Sequence, residues 1–133
     1  MRSLALVCAL LMIWPFSSGQ TFRLVASQAV PAAAGTVKVE VGSNGNTKLD
    51  IKVRHLAQPS SLTPPKAVYL AWIRPNAQAA QKLGAIQLDS NLSGELKTTT
   101  TVRDGEVLIT PEQSVNASAP SLPAVLQAHV NAK

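Results

Sequence analysis

"TVKVEVGSNGNTKLDIKVRHL", Thr36 to Leu56, decides the fold. Val37, Val39 and Val41 alternate with Lys38 and Glu40, and Leu49, Ile51 and Val53 alternate with Lys48, Asp50 and Lys52. Side chains of a strand point to opposite faces in turn, so each run has one apolar and one charged face. Between them "GSNGN", Gly42 to Asn46, supplies residues that tolerate positive φ, and the whole reads as a β-hairpin. Its register follows from charge. With Val41 opposite Thr47, Glu40 faces Lys48, Val39 faces Leu49, Lys38 faces Asp50 and Val37 faces Ile51. A slip of two residues keeps the apolar face inward but sets Glu40 against Asp50 and Lys38 against Lys52. Like charges directly opposite are unfavourable, so the first register is expected.

Upstream, "FRLVAS", Phe22 to Ser27, reads as a strand, followed by an Ala/Pro connector to Gly35. Downstream, "AQPSSLTPP", Ala57 to Pro65, is a linker whose prolines forbid regular pairing. "KAVYLAWIRP", Lys66 to Pro75, has no polar residue from Ala67 to Ile73 and reads as a strand covered on both sides. "NAQAAQKLG", Asn76 to Gly84, is too short to be helical alone and is expected to make one turn ended by Gly84. Ala85 to Asp89 follows as a short strand, in a long-looped hairpin where Gly84 marks a turn or bulge. Leu96 to Val102 and Val107 to Glu112 are expected to pair across "RDGE", because Asp-Gly favours a tight hairpin turn, with Arg103 facing Glu106. Ala124 to Val130 is a last strand. Seven or eight short strands with no long helix imply an all-β, antiparallel β-sandwich.

The first nineteen residues stand outside that fold. Met1-Arg2 is a basic start, Leu4 to Phe16 an apolar run, and Ser17 to Gly19 a set of small residues. This is the pattern of a secretory signal peptide cleaved between Gly19 and Gln20. The run of thirteen would reach about 20 Å as a helix, short of the roughly 30 Å hydrocarbon core. The expected organisation is a leader over 1–19, a partly irregular segment over 20–35 and the sandwich over 36–133. The expected location is secreted or periplasmic, with no membrane span after cleavage. Cys8 is the chain's one cysteine and lies in the leader, so the sandwich has no thiol for a disulfide or a metal.

Without the leader, eleven Lys/Arg stand against seven Asp/Glu. The positives are spread along the sequence among acids, whereas a nucleic-acid binder gathers them on one face beside aromatic platforms. Phe22, Tyr69 and Trp72 are the aromatic residues that remain, and no nucleic-acid partner is expected.

"YLAW" (Tyr69 to Trp72), "LGAI" (Leu83 to Ile86), "SGELK" (Ser93 to Lys97) and "VLITPE" (Val107 to Glu112) occur in an order that resembles the C-terminal extracytoplasmic domain of anti-sigma-K factors. The resemblance extends over Thr36 to Val130 and is densest in the second half. Family members carry a cytoplasmic sigma-binding domain and a transmembrane helix before this β domain; here a leader stands in their place. The resemblance thus implies the β fold and a non-catalytic sensory or protein-binding role outside the cytoplasm, with an unknown protein partner in the cell envelope. It does not imply sigma-factor binding.

Candidate functional residues follow. Tyr69, Trp72, Gly84 and Ile109 are expected to be structural core, because an uninterrupted apolar strand is where core residues sit. The expected binding loops are Gln58 to Pro65, Asn76 to Leu83 and Ser114 to Pro120, with Gln58, Ser60, Asn76, Gln78, Asn116 and Ser118 as contact residues. His55 shares parity with Ile51 and Val53 and is expected on the inner face; His129 is expected to face water. Neither lies in a metal-ligand spacing, and no cofactor is expected. No nucleophile motif is present, so no catalytic residue is assigned. The alternative to protein binding is an envelope-surface or small-ligand binder that uses the scattered positives, and a small hydrolase using His55 or His129 ranks below both.

Overall fold

A computed structural model describes residues 19–132. The expected leader, apart from Gly19, lies outside the described residues, and so does Lys133. Eight strands follow one another: β1 Gln20–Ala26, β2 Ala34–Val41, β3 Thr47–Arg54, β4 Val68–Pro75, β5 Gln81–Ile86, β6 Gly94–Thr100, β7 Asp104–Glu112 and β8 Leu126–Asn131. A single 3-10 turn, Pro59–Ser61, interrupts the β3–β4 connection. The strands form one sheet in the order β5-β4-β7-β8-β1-β2-β3-β6, antiparallel throughout.

The sheet folds on itself at β1. Gln20 to Leu24 pair with β2, then Val25 and Ala26 pair with β8. One strand therefore joins two four-stranded halves, β1-β2-β3-β6 and β4-β5-β7-β8. They share a core of Leu24, Val37, Val39, Leu49, Ile51 and Val53 from the first, and Tyr69, Ala71, Ile73, Val107, Ile109 and Leu126 from the second. The end strands β5 and β6 lie side by side without a hydrogen-bonded ladder, and Leu96 packs against Gly84 across that seam. The all-β antiparallel fold is as expected, with the two facing layers continuous and nearly closed.

The β2–β3 hairpin has the expected register in every pair: Val41 opposes Thr47, Glu40 Lys48, Val39 Leu49, Lys38 Asp50 and Val37 Ile51. The opposite charges do not close into cross-strand ion pairs, however. Glu40 turns along its own strand to Lys38, 3.2 Å away.

Four local expectations are corrected. First, β6 and β7 are not a hairpin. β6 pairs with β3, and β7 lies between β4 and β8. The Asp104-Gly105 pair is not a tight turn: Gly105 is inside β7, opposite Pro75, and a side chain there would come 2.7 Å from the Arg74 carbonyl oxygen. Glycine is required by the closeness of β4. Glu106 accordingly pairs with Arg74 at 3.2 Å, while Arg103 donates to the Gly45 carbonyl at 3.1 Å. Second, Asn76 to Gly84 does not make a turn ended by Gly84; β5 already begins at Gln81. Third, β5 spans Gln81–Ile86 where Ala85 to Asp89 was expected. Its register slips between Ala71 and Trp72, and Gly84, at φ 155°, carries the bulge. Fourth, His55 is exposed. It takes a left-handed conformation at φ 54°, which breaks the alternation and sends Leu56 inward instead.

Candidate functional site

The outer face of the β4–β7 half is not open. β4 is buried on both sides, as its unbroken apolar run required: Tyr69, Ala71 and Ile73 enter the shared core, while Leu70 and Trp72 face outward into a second cluster with Leu108 and Ala124. A strap, residues 113–124, runs back over this cluster and sets Ala117 against it. Lys82 holds one part of the strap, donating to the Val115 carbonyl at 2.6 Å with its ammonium 5.6 Å from the centre of the Trp72 ring.

Glu112 holds the other part. The Trp72 indole N–H donates to the Thr110 hydroxyl at 2.9 Å, and that hydroxyl donates to Glu112 at 2.5 Å. Glu112 also accepts the Ser121 amide at 2.8 Å and the Ser121 hydroxyl at 2.7 Å. Desolvation of this buried carboxyl pushes its pKa up. The hydrogen bonds from Thr110 and from the amide and hydroxyl of Ser121, with the charge of Lys66, outweigh that push and hold it below the ordinary carboxylate value. The sequence placed Glu112 only as a strand end; its part in seating the strap depends on a residue nine positions later. Tyr69 is fully buried, donates to the Ala57 carbonyl at 2.6 Å, and burial pushes its pKa up to about 12. Tyr69, Trp72 and Ile109 are thus core, and Gly84 is partly buried at the bulge.

Gln58, Ser60, Asn76, Gln78, Asn116 and Ser118 are all exposed. The loops that carry Gln58 and Asn116 meet at one end of the sheet, where Gln113 donates to the Pro65 carbonyl at 3.4 Å. Asn76 and Gln78 lie at the opposite end of β4. His129 and Asp104 form an exposed pair at 2.7 Å, and among the described residues no group of three or more His, Cys, Asp or Glu could hold a metal ion.

The outer face of the β1-β2-β3-β6 half is open and charged. Outward positions alternate along each strand and align across the sheet: Thr21, Lys38, Asp50 and Lys97 in one row, and Arg23, Thr36, Lys52 and Glu95 in the next. With Glu40, Lys48 and Arg54, the face holds six cations, Arg23, Lys38, Lys48, Lys52, Arg54 and Lys97, against three acids, Glu40, Asp50 and Glu95. Asp89 stands at the rim of this face, and elsewhere among the described residues four cations meet three acids. Of the surplus of three positives among the described residues, two are on this face with its rim included. Charges scattered along the sequence are therefore gathered in space, which corrects the dispersal inferred from their spacing. The face has two concavities, of about 850 and about 600 Å³. It carries no aromatic platform, since Tyr69 and Trp72 are on the other half and Phe22 points to the shared core.

No family model matches the chain, and no curated protein sequence matches it. The four motifs on which the expected anti-sigma-K resemblance rests lie on β4, β5, β6 with the residue before it, and β7, in that order. Among the described residues no helix is long and apolar enough to cross a membrane.

Proposed function

We propose that this chain is a non-catalytic binding module of the cell envelope that docks through the β1-β2-β3-β6 face onto an anionic membrane surface. The observation that carries this is the gathering of charge: six of the ten Lys and Arg of the described residues are on one open sheet face, against four acids with Asp89 at its rim included. A broad cationic face attracts anionic headgroups at about 1 kcal/mol per Lys or Arg near the surface, and salt screens the attraction. Stacking platforms for a nucleic acid are missing from it. The leader pattern and the anti-sigma-K resemblance support a place outside the cytoplasm.

Co-sedimentation with phosphatidylglycerol vesicles tests the proposal. Adsorption is expected at low salt, with loss at high salt, on phosphatidylcholine vesicles, and in the variant Lys38→Glu/Lys48→Glu/Lys97→Glu. Adsorption that ignores salt or survives the triple reversal defeats it, as does absence of adsorption or a preference for nucleic acid over vesicles.

A second surface supports the protein-binding role that the resemblance implies. The strap exposes Val115 and Leu122, 52% and 58% accessible, and meets the Gln58 to Pro65 loop. A partner there would leave the charged face free. Crosslinking in intact cells from Ser60 and Ser118 tests this, with one recurrent protein adduct expected and none contradicting it.

A further inference from the structure

The larger concavity on the charged face has the makings of a discrete site. At this end of β2 the outward positions are Ala34 and Thr36, whereas farther along they are Lys38 and Glu40. Short side chains on β2 leave a trough between Arg23 of β1 and the pair Lys52 and Arg54 of β3, and all of these residues line it. The strands bearing the two arginines are two ladder spacings apart, about 10 Å, and Arg54 lies one outward row further along, opposite Ala34, so the two face each other diagonally. Extended guanidinium side chains can close that span around one small anion.

The charges of the trough are unequally used. Lys52 meets Glu95 at 3.9 Å with both side chains exposed, a weak pairing. Asp89 at the rim accepts the amides of Asn91 and Ser93, at 2.8 and 3.0 Å, within its own turn. Arg23 and Arg54 take part in no ion pair among the described residues. Each guanidinium is a rigid fork of donors suited to an oxyanion, and the Thr36 hydroxyl adds one more donor in the row between Arg23 and Lys52. A planar carboxylate is satisfied by a single fork. A tetrahedral phosphate presents oxygens to both walls at once.

We infer that this trough binds a phosphate group, held between Arg23 and Arg54 with Lys52 and Thr36 beside it. The phosphate can come from a lipid headgroup or from a free phosphate. The inference rests on the charged-face proposal in that it names the group recognised there.

Titration with inorganic phosphate against chloride at matched ionic strength, followed by the arginine side-chain N–H resonances, tests it. Saturable shifts at Arg23 and Arg54 are expected in the wild type. Arg54→Ala should weaken phosphate by about tenfold or more, as loss of charged hydrogen bonds implies. Arg103→Ala, an equal charge loss off the face, should not. Arg54→Lys keeps the charge but not the fork, so it should weaken phosphate as well. Shifts that fail to saturate, or an Arg54→Lys variant that binds phosphate as the wild type does, overturn the site. Saturation by phosphate without vesicle adsorption would keep the trough for a free phosphate and remove the membrane proposal. Vesicle adsorption without phosphate saturation would do the reverse.

Discussion

The two halves of the sheet share one core yet treat their outer faces in opposite ways. On β2 from Thr36 and on β3 from Lys48 every second residue is charged or polar and lies on the uncovered face; on β4 the outward residues Leu70 and Trp72 are apolar and lie under the strap. The first half keeps its charge available. The second uses its outer face to add a layer, with Glu112 and Lys82 fastening the cover. An open strand face can serve recognition because the fold does not depend on its side chains, whereas a covered face is committed to stability.

The comparison breaks most directly at Trp72. Trp72→Ala empties a fully buried site and should cost about 3–5 kcal/mol in urea unfolding. Lys48→Ala on the other outer face should stay within about 0.5 kcal/mol. Equal effects would abolish the distinction between the halves.

Tyr69 tests the shared core from the alkaline side. Its folded pKa, about 12, lies above the unfolded value near 10, so its contribution is complete below pH 10 and is lost as pH rises through 12. That difference corresponds to about 3 kcal/mol. Denaturation midpoints between pH 9 and 12 should fall in the wild type and fall less in Tyr69→Phe; parallel curves would contradict burial of the phenol.

Glu112 tests the strap from the acid side. Its folded pKa is depressed, so its contribution is present above the unfolded carboxylate value and is lost as pH falls through the folded one. Glu112→Gln should destabilise at neutral pH by about 1–3 kcal/mol and flatten the acid limb. The same acid limb in both proteins would show that the carboxylate does not hold the strap.

The smallest effect belongs to the open face. Glu40→Lys, set opposite Lys48 and beside Lys38, should cost ~0.2–1 kcal/mol and strengthen vesicle adsorption. A larger loss of stability would mean that this face is structural after all.

How much of this was legible in the sequence varied with how local the cause is. The β2–β3 register was, because parity and charge within one hairpin leave a single favourable alignment. The double burial of β4 was, because seven apolar residues in a row leave no wet side. Asp104-Gly105 misled, since the same dipeptide serves a tight turn or a close strand approach, and only the position of Arg74 tells them apart. His55 misled because one left-handed residue inverts every parity after it. The charged face was invisible for a different reason. Each strand showed its cations, but summing them needs the strand order, which sets β6 beside β3 and brings Lys97 next to Asp50. The strap was hidden likewise, as nothing in "QSVNASAPSLP" says which face it covers.

The most direct measurement is paramagnetic broadening of the protein's amide resonances on phosphatidylglycerol vesicles that carry a spin-labelled headgroup. Amides flanking Arg23, Lys38, Lys48 and Lys97 are predicted to broaden at low salt while those of Val115 to Leu122 stay sharp. Broadening centred on the strap, with the β2–β3 hairpin untouched, would contradict the account.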